Sequence, residues 1–525
     1  MRSYYSHLQA VQSVGETVDK HRKPVFRSSA VFPVMHNAYG SSKVIFMGYW
    51  LLKRHIKEIG LTYTLRSQSG EILSRKYICI DSTKAYSIQL SEFTGEIGDD
   101  FTGSLEVEIF STRDLVFPYP AFVLVYYSDS FSTAVHTVGR VYNDIEDLSS
   151  NEEYRVRESG FDIYGNPNLS PFVGFTNGPI PNKQPELTYE VVNTQGERFQ
   201  GSFTLPSLKP FETHFLRLKS HLPLYDWLGD QAGTIRLGHN FEGFFPRFTV
   251  GNVDERARSI SVTHSYYDSS PLTDNSAYWN RIDDTFHDSS VAIPLYITGG
   301  LFTRLVLYPT FSPSDFTLSF RFFNADGQLL ATLPDHVSVV SDQHRYDQVD
   351  LGTVVAQAGL GDVIPKTVTI DANWADKSRI PTRLKFGLNV GYADRLAQLP
   401  SNVCFAPALG NPKVLTKPGT FRWAPFVSVG RSEIAFTNAA PLKTHDRLAT
   451  VNLSFHREQD DQTLYRTIEI PANGVRILDR TADSELNEFF GDGSGWVGAA
   501  ADNPFVNGFY FDFHENGSVA ADHLF

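Results

Sequence analysis

The sequence predicts an all-β chain, a tandem array of about four related antiparallel β-sandwich modules with few short helices. Three observations predict it. A set of landmarks recurs four times in one order, short apolar or alternating runs bounded by Gly, Pro, Asn and Asp fill the spaces between them, and helical periodicity is almost absent. Roughly seven such runs per copy fit two packed antiparallel sheets.

The first landmark is a hairpin with a polar turn. It reads Tyr63-Thr-Leu-Arg-Ser-Gln-Ser-Gly70, then Tyr189-Glu-Val-Val-Asn-Thr-Gln-Gly196, then Phe320-Arg-Phe-Phe-Asn-Ala-Asp-Gly327. In the fourth copy, Leu453-Ser-Phe-His-Arg-Glu-Gln-Asp-Asp461, an aspartate stands in for the glycine. A turn position with positive φ favours Gly and tolerates Asn or Asp, so Asp461 is expected to take that conformation.

About thirty residues after each turn comes a Gly-Asp pair, whose aspartates are Asp99, Asp230, Asp362 and Asp492. It follows an apolar segment carrying Leu90, Leu218, Leu351 or Leu478. A short helix is expected just before it, around Leu222–Leu228 and Ser484–Phe490, where apolar residues recur at i, i+3 and i+4. The last landmark is a strand pair ending at His136, His264, Cys404 or His523; Phe122 to His136 aligns with Phe509 to His523 without a gap.

These landmarks divide the chain into an N-terminal arm at 1–30, with one short helix around His7–Val18, and modules at 31–144, 156–268, 291–406 and 420–525. An acidic stretch, Asp144 to Glu153, joins the first two modules. A Ser- and Asp-rich stretch from Ser269 to Ser290 and a Pro- and Gly-containing one from Pro407 to Gly419 mark the other junctions. At 525 residues, several domains are expected. Forty Phe and 24 Tyr supply half-buried strands with core material.

Composition also narrows the function. A formal charge of −13 without a long basic run argues against nucleic acid as a partner. No apolar run is long enough for a membrane span, and the first residues lack the apolar core of a signal peptide. The expected location is therefore the cytoplasm, or outside the cell by another export route. Only Cys79 and Cys404 are present, in separate modules, and both read as isolated thiols rather than a disulfide framework.

The chemistry-bearing residues give no catalytic constellation. Zinc-type spacings such as His-x3-His are absent, and the loose group His214, His221 and His239 occurs in one copy alone. Each Gly-Asp offers calcium a single carboxylate, so a tight turn is the simpler reading. A landmark that alternates between His and Cys reads as a strand position. Ser494, in Gly491-Asp-Gly-Ser-Gly, is out of register with a nucleophile elbow. No phosphate-cradling glycine loop occurs. The six tryptophans, Trp50, Trp227, Trp279, Trp374, Trp423 and Trp496, read as core or edge residues before sugar platforms.

The sequence thus reads as a non-enzymatic, multi-module structural, self-assembling or binding protein. Its expected partners are protein, either itself or another chain, or glycan, and neither metal nor cofactor is expected. The twelve landmark positions, Gly70, Gly196, Gly327, Asp461, Asp99, Asp230, Asp362, Asp492, His136, His264, Cys404 and His523, are expected to be structural. Two alternatives stand beside this reading: a carbohydrate-active enzyme with a cleft between modules, whose paired carboxylates leave no local motif, and a viral or capsule-like subunit.

Overall fold

The computed structural model describes residues 24–525 except 94, 117–120, 137–138, 142–157, 265, 268–278, 281–284, 286–291, 310–313, 341–344, 379, 382–385, 406–416 and 428–429. The expected helix at His7–Val18, the acidic stretch 144–153 and most of the junctions at 269–290 and 407–419 lie outside the described residues.

Eight strands form each of four sandwiches. In the first they are β1 (Arg27–His36), β2 (Ser41–Met47), β3 (Ile59–Ser67), β4 (Ile72–Ile80), β5 (Ala85–Gln89), β6 (Phe101–Phe110), β7 (Val123–Tyr127) and β8 (Ser132–His136). One sheet has the order β1-β6-β3-β4 and the other β5-β2-β7-β8. The strands pair antiparallel in both sheets.

The second sandwich repeats this plan with β9 (Glu158–Tyr164), β10 (Leu169–Thr176), β11 (Glu186–Val192), β12 (Arg198–Thr204), β13 (Thr213–Arg217), β14 (Ala232–His239), β15 (Thr249–Asp254) and β16 (Ser259–His264). Its sheets run β12-β11-β14-β9, extended by Tyr266–Tyr267 beyond β9, and β13-β10-β15-β16.

The third comprises β17 (Ala292–Pro294), β18 (Leu301–Leu307), β19 (Phe316–Phe323), β20 (Leu329–Val339), β21 (Asp347–Asp350), β22 (Thr367–Trp374), β23 (Phe386–Tyr392) and β24 (Val403–Phe405), in orders β17-β22-β19-β20 and β21-β18-β23-β24. The fourth comprises β25 (Thr420–Phe426), β26 (Arg431–Asn438), β27 (Ala449–Arg457), β28 (Thr463–Ile470), β29 (Val475–Asp479), β30 (Gly495–Ala501), β31 (Val506–Phe513) and β32 (Val519–His523), in orders β25-β30-β27-β28 and β29-β26-β31-β32. The connectivity is the same in all four, which establishes the tandem all-β array.

By compactness the chain forms two units. Unit 1 is Met1–Val191, Arg198–Asp268 and His456–Gln462; unit 2 is Val192–Glu197, Ser269–Phe455 and Thr463–Phe525. In the first sandwich Phe46 meets Phe122 edge-on at 4.6 Å and Trp50 is buried with them. In unit 2 one continuous core runs from Phe320 and Leu388 to Phe509 and Phe511, so the third and fourth sandwiches share apolar packing. Trp374, Trp423 and Trp496 are likewise buried, which removes these three and Trp50 as exposed sugar platforms; Trp227 is half-buried. The side chain of Trp279 lies outside the described residues.

Short helices lie just before Gly229 and Gly491, where the apolar spacing places them, and a further one, at Tyr49–Arg54, was not expected. Those of this kind are α1 (Tyr49–Arg54), α2 (Leu224–Leu228), α3 (Leu351–Gln357) and α4 (Ser484–Phe490). Helix α4 starts at Asp483, whose carboxylate accepts from the Glu485 and Leu486 N–H groups. It buries Leu486 and Phe490 and ends at Gly491 with φ 54°. Helix α2 ends in the same way at Gly229, φ 57°. Among the described residues no helix is long and apolar enough to cross a membrane.

The hairpin turns carry the landmark chemistry. Gly70, Gly196 and Gly327 have φ of 88°, 81° and 77°. In two turns an asparagine side chain accepts from two following N–H groups: Asn193 from Gln195 and Glu197, Asn324 from Asp326 and Gln328. The fourth turn differs from expectation, because Asp461 is not among the described residues with positive φ. Arg457 closes that turn by gripping the Asp460 carboxylate at 2.7 Å and Gln462 at 2.9 Å. The ion pair holds this turn closed where the other copies use a left-handed glycine.

Within each unit a turn of one sandwich seats on the next. In unit 1 the Gln68 carbonyl accepts from Thr213 N at 2.9 Å, at the start of β13, and the Arg66 guanidinium lies 4.1 Å from the Phe211 ring centroid. In unit 2 the Ala325 carbonyl accepts from Val475 N at 3.1 Å, at the start of β29, and Arg476 pairs with Asp326 at 3.0 Å. A Cβ on Gly70 would meet the Pro210 carbonyl oxygen at 2.1 Å, and one on Gly327 the Ala472 oxygen at 1.9 Å. Both receiving loops hold a non-glycine residue at positive φ, Phe211 at 57° and Asn473 at 61°. The substitution Gly327→Val is therefore expected to cost about 1–3 kcal/mol, from the left-handed φ and the backbone collision together. Urea unfolding followed by tryptophan fluorescence should show the loss, while Gly359→Val, with positive φ and open space around it, should cost less.

Candidate functional site

The landmark residues fall at two kinds of place. His136, His264 and His523 are the last residues of β8, β16 and β32, and Cys404 is in β24, so all four lie on the terminal strand of their sandwich. Their partners across the sheet are Val123, Thr249, Phe509 and Gly387. In unit 1 the His136 and His264 rings meet edge-on at 4.5 Å, and the Arg247 guanidinium lies 2.9 Å from the His264 ring nitrogens. Asp99, Asp230, Asp362 and Asp492 are exposed, and in the last three copies the preceding glycine holds the positive φ. The local work of that pair is done by the glycine.

The loose histidine group is not brought to one centre. His214 pairs with Glu212 at 3.0 Å, His221 stacks on Phe203 at 4.6 Å, and His239 meets Phe241 and Phe248. Ser494 is buried.

Unit 2 contains two buried polar clusters that local motifs do not reveal. In one, Asp512 on β31 lies opposite Ser432 on β26. Ser432 Oγ is 2.8 Å from Asp512 Oδ1, and His514 Nε2 is 3.1 Å from Asp512 Oδ2. All three residues are buried. Nucleophilic catalysis requires the imidazole between serine and carboxylate, whereas here the carboxylate lies between the other two. Ser432 Oγ also lies 2.8 Å from the Val427 carbonyl, so the cluster ties the two strands to the segment before β26.

The second cluster centres on Glu433, which is 5% exposed. Tyr296 OH donates to its carboxylate at 3.0 Å, Arg431 Nε lies 2.9 Å away, and Asp479 faces it across β26 and β29. Burial raises the Glu433 pKa above the usual carboxylate range; Arg431 opposes that shift and Asp479 adds to it. A buried carboxylate with a raised pKa is one component of general acid–base chemistry. Glu433 is itself buried, and its bond to Tyr296 ties the third sandwich to the fourth.

Two cavities bear on ligand binding. One of about 10 Å³ lies among Phe175, Asn177, Phe244 and Arg247 in unit 1, and one of about 30 Å³ among Tyr308, Val339, Arg345 and Asp347 in unit 2. These volumes suit one or two water molecules. The sequence did not reveal these clusters because their members come from separate strands; the nearest signal is an acidic residue inside an otherwise apolar run, as at Glu433 and Asp512.

No protein-family model matches the chain, and no curated protein matches it. Among solved structures, the chain is similar to a calcium-binding mutant of Bacteroides uniformis beta-glucuronidase 2, at 10% identity and a TM-score of 0.13. The match covers 48% of this chain, which spans only 27% of that protein. A likeness at that score carries no inference about activity.

Two buried groups set opposite pH dependences. Burial lowers the His456 pKa to about 4, so the folded chain keeps this imidazole neutral while the unfolded chain takes up a proton below its ordinary value of 6.5. Its contribution is present above pH 6.5 and is lost as pH falls toward 4. Glu433 behaves conversely: its raised pKa gives stability present below the ordinary carboxylate value and lost as pH rises through the raised one. Urea titrations across pH should therefore show Glu433→Gln equal to the native chain in acid and more stable at alkaline pH. His456→Gln should lose less stability than the native chain between pH 6.5 and 4.

Proposed function

We propose that this chain is a non-enzymatic structural protein that works by presenting the surfaces of rigidly seated β-sandwiches, as a self-assembling or binding protein with protein or glycan partners. The observation that carries this reading is the repeated seat. A hairpin turn of one sandwich meets a loop of the next through backbone hydrogen bonds, at a glycine that admits no side chain, in the same sense in both units. A directional contact reused between copies fixes their mutual geometry, as an array that displays surfaces at set spacing requires. The buried polar clusters support the same reading, since Glu433, Asp512 and Ser432 hold strands and sandwiches together.

The test combines turnover and rigidity on the full chain. A panel of chromogenic glycosides is expected to show no hydrolysis above that of a Glu433→Gln variant. Limited proteolysis is expected to leave the joined third and fourth sandwiches as one fragment, with cleavage inside it appearing in Arg476→Ala and Gly327→Val. Glycoside turnover abolished by Glu433→Gln would establish the enzyme alternative instead.

A further inference from the structure

Each sandwich ends one sheet on the second strand of its hairpin: β4, β12, β20 and β28 are all edge strands. An unpaired edge offers free N–H and C=O groups to any other strand, and proteins block it with charges, proline or bulges. Three of the four edges carry such devices. On β4, Arg75 and Lys76 are adjacent, and Lys76 Nζ turns back over the Phe93 ring at 4.5 Å. On β20, Pro334 precedes Asp335 at φ 49°, and the pairing with β19 shifts register between Leu318 and Phe320. On β28, Arg466 is gripped by Asp483 and Glu485 while its guanidinium lies 5.8 Å from the Phe455 ring centroid.

Strand β12 is different. After Arg198, which lies 3.7 Å from Glu190, it reads Phe199-Gln-Gly-Ser-Phe-Thr204, without charge or proline. Arg198, Gln200, Gly201, Ser202 and Thr204 are exposed, and Phe199 and Phe203 are half-buried. Alternation puts Phe199, Gly201 and Phe203 on one face. There Phe199 lies 5.7 Å from Trp227 and Phe203 stacks on His221 at 4.6 Å. Gly201 leaves a gap between them over the Tyr189 hydroxyl, which a Cβ would approach to 2.7 Å.

The segment is also nearly symmetric about Gly201. Paired antiparallel with itself around that residue, Phe199 of one copy faces Phe203 of the other, twice. Gln200 faces Ser202, and the two glycines face each other. Aromatic pairs across strands are among the stabilising ones, and a self-complementary patch gives the closed two-fold contact most common in oligomers. We propose that β12 is a dimerisation edge, joining two copies of this chain by antiparallel β12–β12 pairing centred on Gly201. This rests on the structural reading above and supplies its self-assembly contact.

Facing Cα atoms in an antiparallel pair are about 4.5–5.5 Å apart, within the range a disulfide spans. The exposed Cys79 is first replaced by serine, and Gly201→Cys or Thr204→Cys is introduced. The former is expected to form a reducible dimer on mild oxidation. The latter should stay monomeric on a non-reducing gel, because its twin would lie roughly 20 Å away. Without engineered cysteines, light scattering should show a dimer that Ser202→Lys weakens at least about tenfold, with thermal unfolding unchanged at dilutions where both chains are monomeric. A chain that is monomeric at all concentrations overturns the proposal, as does a dimer indifferent to Ser202→Lys or cross-linked equally through Thr204→Cys. Either result leaves the non-enzymatic reading standing, since that is decided by glycoside turnover.

Discussion

The close approach of backbone to backbone at the hairpin turns is the constraint on which the rest depends. A β-turn with positive φ presents its carbonyl oxygens outward, and glycine lets a second chain segment come within a distance that any Cβ would forbid. At Gly70 and Gly327 both requirements are met at once. The receiving loops match this from their side, holding Phe211 and Asn473 left-handed so that the next N–H groups on the chain point at the turn. Strain of this kind persists only where the surroundings over-determine it. Its recurrence at the same connection of two sandwiches ties it to the seat.

Most of the array was legible in the sequence because its punctuation is local. Positive-φ glycines, asparagines that accept from following N–H groups, and apolar spacing ahead of Gly229 and Gly491 each act within a few residues, so four copies of the same punctuation show through divergent cores. The partition of strands into two sheets was not legible. It depends on pairings such as β1 with β6 and β2 with β7, which join residues far apart in the chain. The Asp461 reading failed for a related reason: an arginine placed to close the turn substitutes for a conformation that residue type alone seemed to demand.

The candidate site was less legible than the fold. Among the landmarks, Gly70, Gly196 and Gly327 close turns and His136, His264 and His523 end strands, which is why repetition exposed them. The groups with unusual environments, Glu433, Asp512 and His456, recur nowhere as a pattern. Their properties come from burial and from neighbours on other strands, such as Tyr296 on the preceding sandwich. Repetition reports what all copies share, so a feature confined to one copy is hidden from it.

The edge strands show how four copies of one fold diverge in role. The sandwich plan always leaves the second hairpin strand at the end of a sheet, so each copy inherits the same hazard of unwanted pairing. The solutions differ in chemistry: a lysine turned over an aromatic ring, a proline with a bulge, an arginine held by two carboxylates. Independent solutions to one hazard indicate that it is costly to leave unsolved. An edge that lacks all of them, and whose residues are nearly symmetric about a glycine, is therefore better explained by a strand that pairs there than by an omission.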